Sequence, residues 1–362
     1  MIYFDNAATT PMLPGLESSI FGNPSSPHAI GIMAEKELEN VRKRISAILN
    51  CNNDELIFTS GGTESNNLAI LGFALANKRK HALLLAEPWE HPSILEPIKF
   101  AKEFFGFDAC IAPRREWPID ADIRLACLSH VNNETGDVND VSSIARLLKE
   151  ENHSTVVHID GAQGFCKEQA TTDADMYSFS GHKCHAPIGT GGLVVRRGVK
   201  LKPIFYGGGQ EKKLRPGTEN VDGIVGMAKA ASIMWEARES LHSHVEEIKN
   251  TLLSIKDELP NVFVNDKGGA VSPYILNISF LRLRGETLVH MLSEKQLFAS
   301  MGAACRSRKR VKSTLEVMGF DAARAESAVR FSFSHLNTID EAVHAKAIII
   351  ESVQQLRQAL GK

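Results

Sequence analysis

The chain has 362 residues, 43% of them hydrophobic and 23% charged, which is the composition of an ordinary folded protein. A formal net charge of -2 excludes bulk attraction to nucleic acid or to an anionic membrane surface. No run of apolar residues is long enough to span a membrane, and the first residues show no secretory signal pattern. We therefore expect a cytoplasmic protein with two domains or one large α/β domain.

The first half of the chain alternates short apolar strands with helices. Residues 1–14 form a turn-rich lead, and apolar residues recur at helical spacing between residues 28 and 50. The strands predicted after them are 56–59, 82–86, 125–130, 155–159 and 189–196, and residues 173–177 lead into one more strand. The predicted helices are 64–77, 93–105 and 141–150. This alternation predicts a mostly parallel sheet with helices on both faces.

The pattern changes after Gly223, where a helical stretch runs to about residue 258. It is followed by predicted strands at 274–280 and 330–334 and by predicted helices at 285–292 and 338–360. We therefore predict a large domain over residues 15–240. A small α+β domain, built from residues 1–14 and 241–362, would carry the loop that contains Cys305.

The cysteines are scattered, and no two of them form a Cys-x-x-Cys pair. They are Cys51, Cys110, Cys127, Cys166, Cys184 and Cys305. In a long chain without a signal pattern, this spacing indicates reduced thiols in a cytosol and argues against a disulfide framework or a zinc site.

Four polar clusters follow predicted strands. They lie at residues 60–63, 130–134, 160–163 and 180–183. Open, mostly parallel sheets bind their ligands outside the carboxyl ends of the strands. We therefore expect the four clusters to meet in one crevice.

Lys183 ends the segment Ser178-Phe-Ser-Gly-His-Lys183, a small-residue turn between two predicted strands. Lysine forms Schiff bases, and a desolvated lysine amine is nucleophilic. Because Ser180 and His182 lie within three residues of it, we interpret Lys183 as the attachment point of pyridoxal phosphate (PLP). The alternative is a lysine in an exposed hairpin.

Asp160 ends the apolar strand Val156-Val-His-Ile-Asp160 and needs a partner if it is buried. A pyridinium nitrogen is such a partner, and the carboxylate would keep it protonated. The alternative is a carboxylate that caps the following turn. Gln163 is a candidate donor to the phenolic oxygen of the ring, and His91 is a candidate for stacking over it, although an isolated histidine is more often structural.

The segment Ser60-Gly-Gly-Thr-Glu64 opens a predicted helix, whose N–H groups and dipole suit a phosphate. Capping of that helix by Ser60 or Thr63 is the alternative. A nucleotide-binding P-loop is not indicated, because the Gly-Lys-Ser/Thr element is missing.

Cys305 ends the small-residue stretch Ser300-Met-Gly-Ala-Ala-Cys305, and a basic run from Arg306 to Lys312 follows it. Neighbouring cations favour the thiolate, which is the nucleophilic form of cysteine. A buried cysteine that fills space is the alternative. The basic run is either a solvated face or a surface for an acidic partner or an RNA.

Taken together and in order, these motifs resemble the PLP-dependent cysteine desulfurases of the NifS/IscS type, and the resemblance covers nearly the whole chain. The shared segments are Tyr3-Phe-Asp-Asn-Ala-Ala-Thr-Thr-Pro11, Gly22-Asn-Pro-Ser-Ser26, Phe58-Thr-Ser-Gly-Gly-Thr-Glu-Ser65, His130-Val-Asn-Asn-Glu134, Ser178–Lys183, Gly207-Gly-Gly-Gln210, Arg215-Pro-Gly-Thr218 and Arg330-Phe-Ser332.

The resemblance implies PLP fold type I, with a seven-stranded, mostly parallel sheet in the large domain, and a homodimer with its site at the subunit interface. Lys183, Cys305 and His91 would be the catalytic residues. The implied cofactor contacts are Gly62, Thr63, His91, Asn133, Asp160, Gln163, Ser180, His182, Lys183 and, from the second subunit, Thr218. Asn23 and Arg330 would hold the substrate carboxylate. No resident metal is implied, and Cys305 is a candidate transient ligand of an iron–sulfur cluster.

The implied reaction converts L-cysteine into L-alanine and leaves a persulfide on Cys305. The sulfur would pass to an acceptor or cluster-scaffold protein for iron–sulfur assembly, or for thiolation of tRNA or a cofactor, without direct RNA binding. A selenocysteine lyase and a non-catalytic sulfur-transfer scaffold remain alternatives. The chain departs from the family pattern at Cys184, in the stretch before Cys305 and in the basic run after it, which leaves the sulfur acceptor open.

Overall fold

The computed structural model describes residues 1–17, 20–169, 173–301 and 312–361, in two units. The larger unit consists of Pro11–His130 and Asn139–Glu236, and the smaller unit consists of Met1–Thr10, Val131–Val138 and Ala237–Lys362. Residues 131–138, which the sequence-based division left in the large domain, therefore belong to the smaller unit. Cys305 lies outside the described residues.

A seven-stranded sheet forms the centre of the larger unit. Its strands are β2 (Leu56–Thr59), β3 (Leu83–Ala86), β4 (Asp108–Ile111), β5 (Ile123–Ser129), β6 (Val156–Asp160), β7 (Met176–Ser180) and β8 (Gly191–Val195). They lie in the order β2-β8-β7-β6-β5-β3-β4. Only the two pairings of β8 are antiparallel, so the carboxyl ends of β2, β3, β5, β6 and β7 reach the same edge of the sheet. This confirms the predicted α/β class with a mostly parallel sheet.

Four of the five helices described in the larger unit pack in two pairs. The five are α1 (Ala29–Ile48), α2 (Gly62–Ala76), α3 (Pro92–Phe105), α4 (Val141–Glu151) and α5 (Val221–Glu236). Helix α2 packs against α3, and α1 packs against α5. Phe73 of α2 and Ile98 of α3 share one buried core with Leu84, Leu125 and Leu193 of the sheet. The beginning of α2 is thereby held at the edge where the strands end.

The smaller unit has an α+β architecture. Its strands are β1 (Ile2–Tyr3), β9 (Val262–Val264), β10 (Ile275–Phe280), β11 (Leu297–Phe298) and β12 (Ala328–Ser332), and its helices are α6 (Arg238–Leu253), α7 (Ile255–Glu258), α8 (Gly285–Glu294), α9 (Thr314–Val317), α10 (Ala322–Glu326) and α11 (Ile339–Ala359). Strands β12, β10 and β9 form an antiparallel sheet, and β1 pairs with β11 in parallel. Helix α11 packs against α6 and α8.

Several details differ from the predicted elements, and the short elements β1, β9, β11, α9 and α10 are not predicted. Strand β7 continues to Ser180, so the turn that carries Lys183 begins only at Gly181. Strand β4 is not predicted, because it lies at the edge of the sheet and its partly exposed residues lack a clear apolar pattern. The single helical stretch expected up to residue 258 is three helices, with breaks at Ala237 and Ser254. In the described part of the chain, no helix has the length and apolar character needed to cross a membrane.

A buried ion pair holds a strained turn against strand β2. Residues 211–213 all have positive φ, a conformation that costs an L-residue about 1–2 kcal/mol. The Glu211 carboxylate accepts from Arg42 Nη2 at 2.6 Å and from the N–H of Phe58 at 2.9 Å. Arg42 also donates to the carbonyl of Leu56 at 2.8 Å. The pair thereby connects α1, an edge strand and the turn.

Glu90 is a buried carboxyl group in the turn between β3 and α3. Burial, with a smaller contribution from the negative charges of Glu87 and Asp160, raises its pKa to about 8. The hydroxyl of Ser129 lies 3.4 Å from Glu90 Oε1. Glu90 is therefore protonated at neutral pH in the folded protein.

We predict that Glu211→Ala lowers the free energy of unfolding by about 3–5 kcal/mol, because it leaves the buried Arg42 guanidinium without its counter-charge. Urea unfolding followed by circular dichroism measures the change. Arg197→Ala, which removes the exposed partner of Asp54, is the matched control and should have a far smaller effect. Equal losses in the two variants would contradict the role assigned to the buried pair.

We predict that Glu90→Gln flattens the dependence of stability on pH. The folded state binds a proton on Glu90 up to about pH 8, whereas the ordinary pKa is 4.5, so wild-type stability falls as pH rises through this interval. The amide does not titrate and should stabilise the protein at pH 8 by on the order of a few kcal/mol relative to wild type. Urea unfolding from pH 5 to 8 tests this, with the exposed Glu103→Gln as control. A slope unchanged by Glu90→Gln would refute the prediction.

Candidate active site

Three of the four predicted polar clusters meet at the carboxyl edge of the sheet in the larger unit. A Cβ added to Gly62, after β2, would lie 3.7 Å from the Cβ atoms of both Ala162, after β6, and Ser180, at the end of β7. From the fourth cluster, the N–H of His130 donates to the carbonyl of Asp160 at 2.8 Å. Residues 131–134 of that cluster belong to the smaller unit.

The beginning of α2 fits a phosphate. The N–H groups of its first three residues have no acceptor inside the helix, as at any helix N-terminus. The N-cap is Gly61, whose φ of 151° favours glycine, and no side-chain hydrogen bond caps the helix within the described chain. The alternative of capping by Ser60 or Thr63 is therefore wrong. The hydroxyl of Ser180 lies beside this helix N-terminus, 3.7 Å from the position that a Cβ of Gly61 would occupy. It can therefore act as a further hydrogen-bond donor to a phosphate bound there.

The Asp160 carboxylate fits a protonated ring nitrogen. Asp160 is buried at the end of β6, where its Oδ1 accepts the N–H of Ala162 at 2.9 Å and its Oδ2 accepts Asn66 Nδ2 at 2.8 Å. The contact with the N–H of Ala162 means that Asp160 also caps the turn after β6, as the alternative interpretation proposes. Both oxygens accept, which suits the ionised form, and each oxygen keeps a further lone pair for another donor.

His91 is both a helix cap and a neighbour of the charged groups of this site. Its Nδ1 accepts the N–H of Ser93 at 3.1 Å as the N-cap of α3, and Ser93 Oγ lies 2.7 Å from the same nitrogen. Burial lowers the pKa of His91, and the Asp160 carboxylate offsets part of that shift while Lys183 adds to it. The ring is therefore neutral, and because Nδ1 accepts, its proton lies on Nε2.

Lys183 lies on a single 3-10 turn, Gly181–Lys183, directly after β7. The N–H of Gly181 donates to the carbonyl of Thr190 at 2.8 Å, and a Cβ at Gly181 would lie 2.3 Å from Thr190 Oγ1, so only glycine fits. Strands β7 and β8 are antiparallel neighbours, so Lys183 does lie in the connection of a hairpin, but it is half-buried and not exposed. Burial and the charges of Lys183 and Lys167 lower the pKa of His182 to about 4, so this imidazole is neutral.

The other predicted site residues of the larger unit differ in exposure. Gln163 is buried in the turn that follows β6. Asn23 is exposed, and its Oδ1 accepts the N–H of Ser25 at 2.9 Å, while Thr218 is exposed beyond the turn that Glu211 holds. Cys184 is buried and donates to the carbonyl of Gly181 at 3.2 Å, which is the contact of a residue that fills the core.

Arg330 is the predicted substrate-binding residue of the smaller unit. It lies in β12, it is 5% exposed, and its Nη1 donates to the carbonyl of Asn133 at 2.8 Å and to Glu134 Oε1 at 3.3 Å. Its Nη2 donates to Asp5 Oδ1 at 3.1 Å. Among the described residues, no acceptor faces its buried Nε. A guanidinium has five N–H donors, so Nε and one Nη2 proton remain for an anion.

Sequence reasoning does not find Asn66 and Ser93, although they connect Asp160 to His91. The available signal is weak. Asparagine is unfavourable inside a helix, so Asn66, just before the apolar run that begins at Leu68, is a candidate for a buried polar contact. No metal site is seen either, since no three His, Cys, Asp or Glu side chains of the described residues are grouped to bind an ion.

The sequence is similar to proteins of known family. A family model described as aminotransferase class-V matches residues 2–344. A NifS/IcsS protein homolog of Lactobacillus delbrueckii subsp. bulgaricus is 38% identical over an alignment of 365 positions, gaps included, which covers 94% of each chain. A cysteine desulfurase IscS of Pseudomonas savastanoi pv. phaseolicola is 34% identical over 98% of this chain and 93% of its own.

The structure agrees with these similarities. A solved NifS-like protein superposes with a TM-score of 0.88 at 31% identity, over 98% of this chain and 99% of its own. Its fold matches the seven-stranded sheet and the smaller α+β unit described above. The chain therefore belongs to the class-V aminotransferases and, among them, to the PLP-dependent cysteine desulfurases of the NifS/IscS type.

Proposed function

We propose that this protein converts L-cysteine into L-alanine and passes the sulfur, as a persulfide on Cys305, to an acceptor. The observation that carries the proposal is the meeting of a helix N-terminus, a buried carboxylate and a lysine at one edge of the sheet, represented by Gly62, Asp160 and Lys183. A cofactor with a phosphate, a pyridine nitrogen and an aldehyde requires these three groups. The family relationship supports the same assignment.

Different residues of the chain would bind different parts of the cofactor. Lys183 would attach PLP through a Schiff base. The phosphate would be held by Gly62, Thr63, Ser180, His182 and, from a second copy, Thr218, and the ring by His91, Asp160, Gln163 and Asn133. When bound, PLP supplies an electron-withdrawing ring that stabilises negative charge at the α-carbon of the substrate.

Proton transfer is assigned to Lys183. The neutral His91 ring uses Nδ1 to accept from Ser93 and carries its proton on Nε2, so it can donate a hydrogen bond but has no free lone pair for a proton. The Lys183 amine, when it is not attached to the cofactor, would have such a lone pair and would be the base for the α-proton. His91 then serves to stack and to donate a hydrogen bond.

Substrate orientation is assigned to Arg330, assisted by Asn23. Asp5 and Glu134 hold the guanidinium in place, and the Nε edge keeps two N–H donors that suit a carboxylate in bidentate geometry. A buried guanidinium that is already oriented loses little further freedom when the substrate binds.

Sulfur transfer is assigned to Cys305. Its thiolate attacks the sulfur of the substrate, an S–S bond forms, and the Cβ–S bond breaks with its electron pair going to carbon. Protonation of that carbon gives the methyl group of alanine, so L-cysteine and the Cys305 thiol become L-alanine and a Cys305 persulfide. An acceptor thiol then takes the outer sulfur by exchange, for iron–sulfur assembly or for thiolation of tRNA or a cofactor.

We place this chemistry in the cytoplasm and in a homodimer. The described cysteines are free thiols, which is typical of a reducing compartment. Three large apolar side chains of the larger unit are strongly exposed, namely Phe21 at 82%, Tyr206 at 82% and Ile188 at 79%. Large exposed apolar groups often mark interaction surfaces, and a second copy that covers them would account for the exposure and supply Thr218.

The enzyme assignment predicts a visible absorption band of bound PLP that changes when L-cysteine is added, together with formation of alanine. Lys183→Ala should lose both the band and about 10²–10⁴-fold of the rate, because the attachment point and the base are removed. Absorption spectroscopy and an alanine assay measure the two effects, and far-UV circular dichroism checks the fold. Alanine formation by Lys183→Ala at the wild-type rate would rule out this role.

The same assays distinguish the role of Cys305 from the roles of the residues that bind the cofactor. Cys305→Ala should keep the band and lose alanine formation from L-cysteine, whereas Cys51→Ala, which replaces a cysteine assigned no role, should keep both. Cleavage of selenocysteine but not of cysteine by the wild-type protein would favour a selenocysteine lyase. A protein that PLP cannot load would favour a scaffold.

We predict that Phe21→Glu combined with Tyr206→Glu converts the dimer into a monomer, because buried charge would oppose association. Size-exclusion chromatography with light scattering measures the mass. Leu147→Glu, on the exposed face of α4, is the matched control and should leave the dimer intact. A wild-type protein that is monomeric, or a double variant that stays dimeric, would argue against this interface.

A further inference from the structure

Asn66, in the second turn of α2, uses every hydrogen-bonding position of its side chain. Its Nδ2 donates to Asp160 Oδ2 and to Ser93 Oγ, both at 2.8 Å. Its Oδ1 accepts from His158 Nε2 at 3.0 Å and from Ser178 Oγ at 2.5 Å. A primary amide has two N–H donors and two acceptor lone pairs, so the group is saturated.

The neighbours of Asn66 allow only one orientation of its amide. An ionised carboxylate can only accept, so Nδ2 has to face Asp160. Oδ1 then faces two donors. His158 is fully buried, and burial lowers its pKa to about 4, so its neutral ring can place its proton on Nε2. Turning the amide over would oppose Oδ1 to the carboxylate and lose these bonds.

The same amide determines the direction of the hydroxyl contact at His91, whose Nδ1 also accepts the backbone N–H of Ser93. Because Ser93 Oγ accepts from Asn66, its own proton is available to His91 Nδ1, 2.7 Å away. Donation therefore runs from Asn66 to Asp160 along one branch, and from Asn66 through Ser93 to His91 along the other. One side chain of α2 thus connects the end of β6 with the beginning of α3.

We propose that Asn66 is a positioning residue that holds Asp160 and His91 as one hydrogen-bonded unit for the cofactor ring. The inference rests on the proposed function, in which Asp160 pairs with the ring nitrogen and His91 stacks on the ring. Hydrogen bonds to a charged group are among the strongest in proteins, so the Asp160 branch should govern cofactor affinity. The Ser93 branch should govern the orientation of His91 and therefore turnover.

The first test is the dissociation constant of PLP from the full-length holoenzyme, followed by loss of the visible band on dilution. Asn66→Ala should weaken binding by about tenfold or more, because the carboxylate loses a charge-assisted bond. Asn67→Ala is the matched control. The Asn67 side chain donates to the carbonyl of Thr63 in its own helix, at 2.9 Å, and its removal should change binding by less than about twofold.

Ser93→Ala separates the two branches. It removes the hydroxyl between Asn66 and His91 and leaves the bond from Asn66 to Asp160. We expect a PLP dissociation constant within about twofold of wild type, and a kcat for L-cysteine that falls about tenfold at unchanged KM. A wild-type kcat in Ser93→Ala would show that His91 does not belong to the hydrogen-bonded unit.

A double-variant cycle shows whether Asn66 acts through Asp160. In the Asp160→Asn background, Asn66→Ala should weaken PLP binding further by less than about twofold, because its partner has already been changed. Fully additive effects would overturn the inference. Asp160→Asn alone tests the proposed function, because a wild-type affinity and spectrum would refute the pairing of Asp160 with the ring nitrogen. A folded Asn66→Ala with wild-type affinity would refute only the role of Asn66.

If circular dichroism shows that Asn66→Ala does not fold, Asn66→Asp replaces it in the same assays. This variant keeps the shape of the side chain and an acceptor for His158 and Ser178, and it removes both donors. It should also weaken PLP binding by about tenfold or more, since a second carboxylate then faces Asp160. Wild-type affinity in this folded variant would equally overturn the inference.

Discussion

The candidate site of the larger unit depends on the buried Asp160 carboxylate at the end of β6. An ionised carboxylate away from water is costly unless hydrogen bonds replace its hydration. The backbone of Ala162 and the amide of Asn66 supply them. The same charge adds to the rise in the pKa of Glu90 that burial causes. One carboxylate at a strand end thus influences the contacts and the protonation states of its neighbours.

Burial also determines which groups of the site carry positive charge. The pKa values of His91, His158 and His182 are all lowered, in each case with burial as the largest cause. These rings are neutral at physiological pH and act as hydrogen-bonding groups of defined direction. Positive charge at this edge of the sheet therefore comes from lysine and not from histidine. A phosphate would meet backbone N–H groups, a hydroxyl and neutral rings there.

Much of the fold and part of the site follow from sequence patterns, because both depend on local order. Strand and helix periodicity predicts the mostly parallel sheet, and the rule about strand ends predicts that Gly62, the turn after Asp160 and Ser180 lie close together. The contacts of Asn66 do not follow from such patterns. Its partners Ser93 and Asp160 lie far away in sequence, and no spacing rule relates them. Residues 131–138 are hard to assign for a similar reason, since only long-range contacts place them in the smaller unit.

The three-part construction of the smaller unit has a consequence for how the chain is made. Ile2 pairs with Leu297, and Asp5 forms a bridge with Ser332. On the ribosome, the first stretch therefore emerges long before its partners and stays exposed while the larger unit is synthesised. Domains tend to fold in the order of synthesis, and distant pairings are slow to form. The sheet edge of the candidate site can thus be complete before β1 pairs with its partner, and a nascent chain is vulnerable to aggregation during that interval.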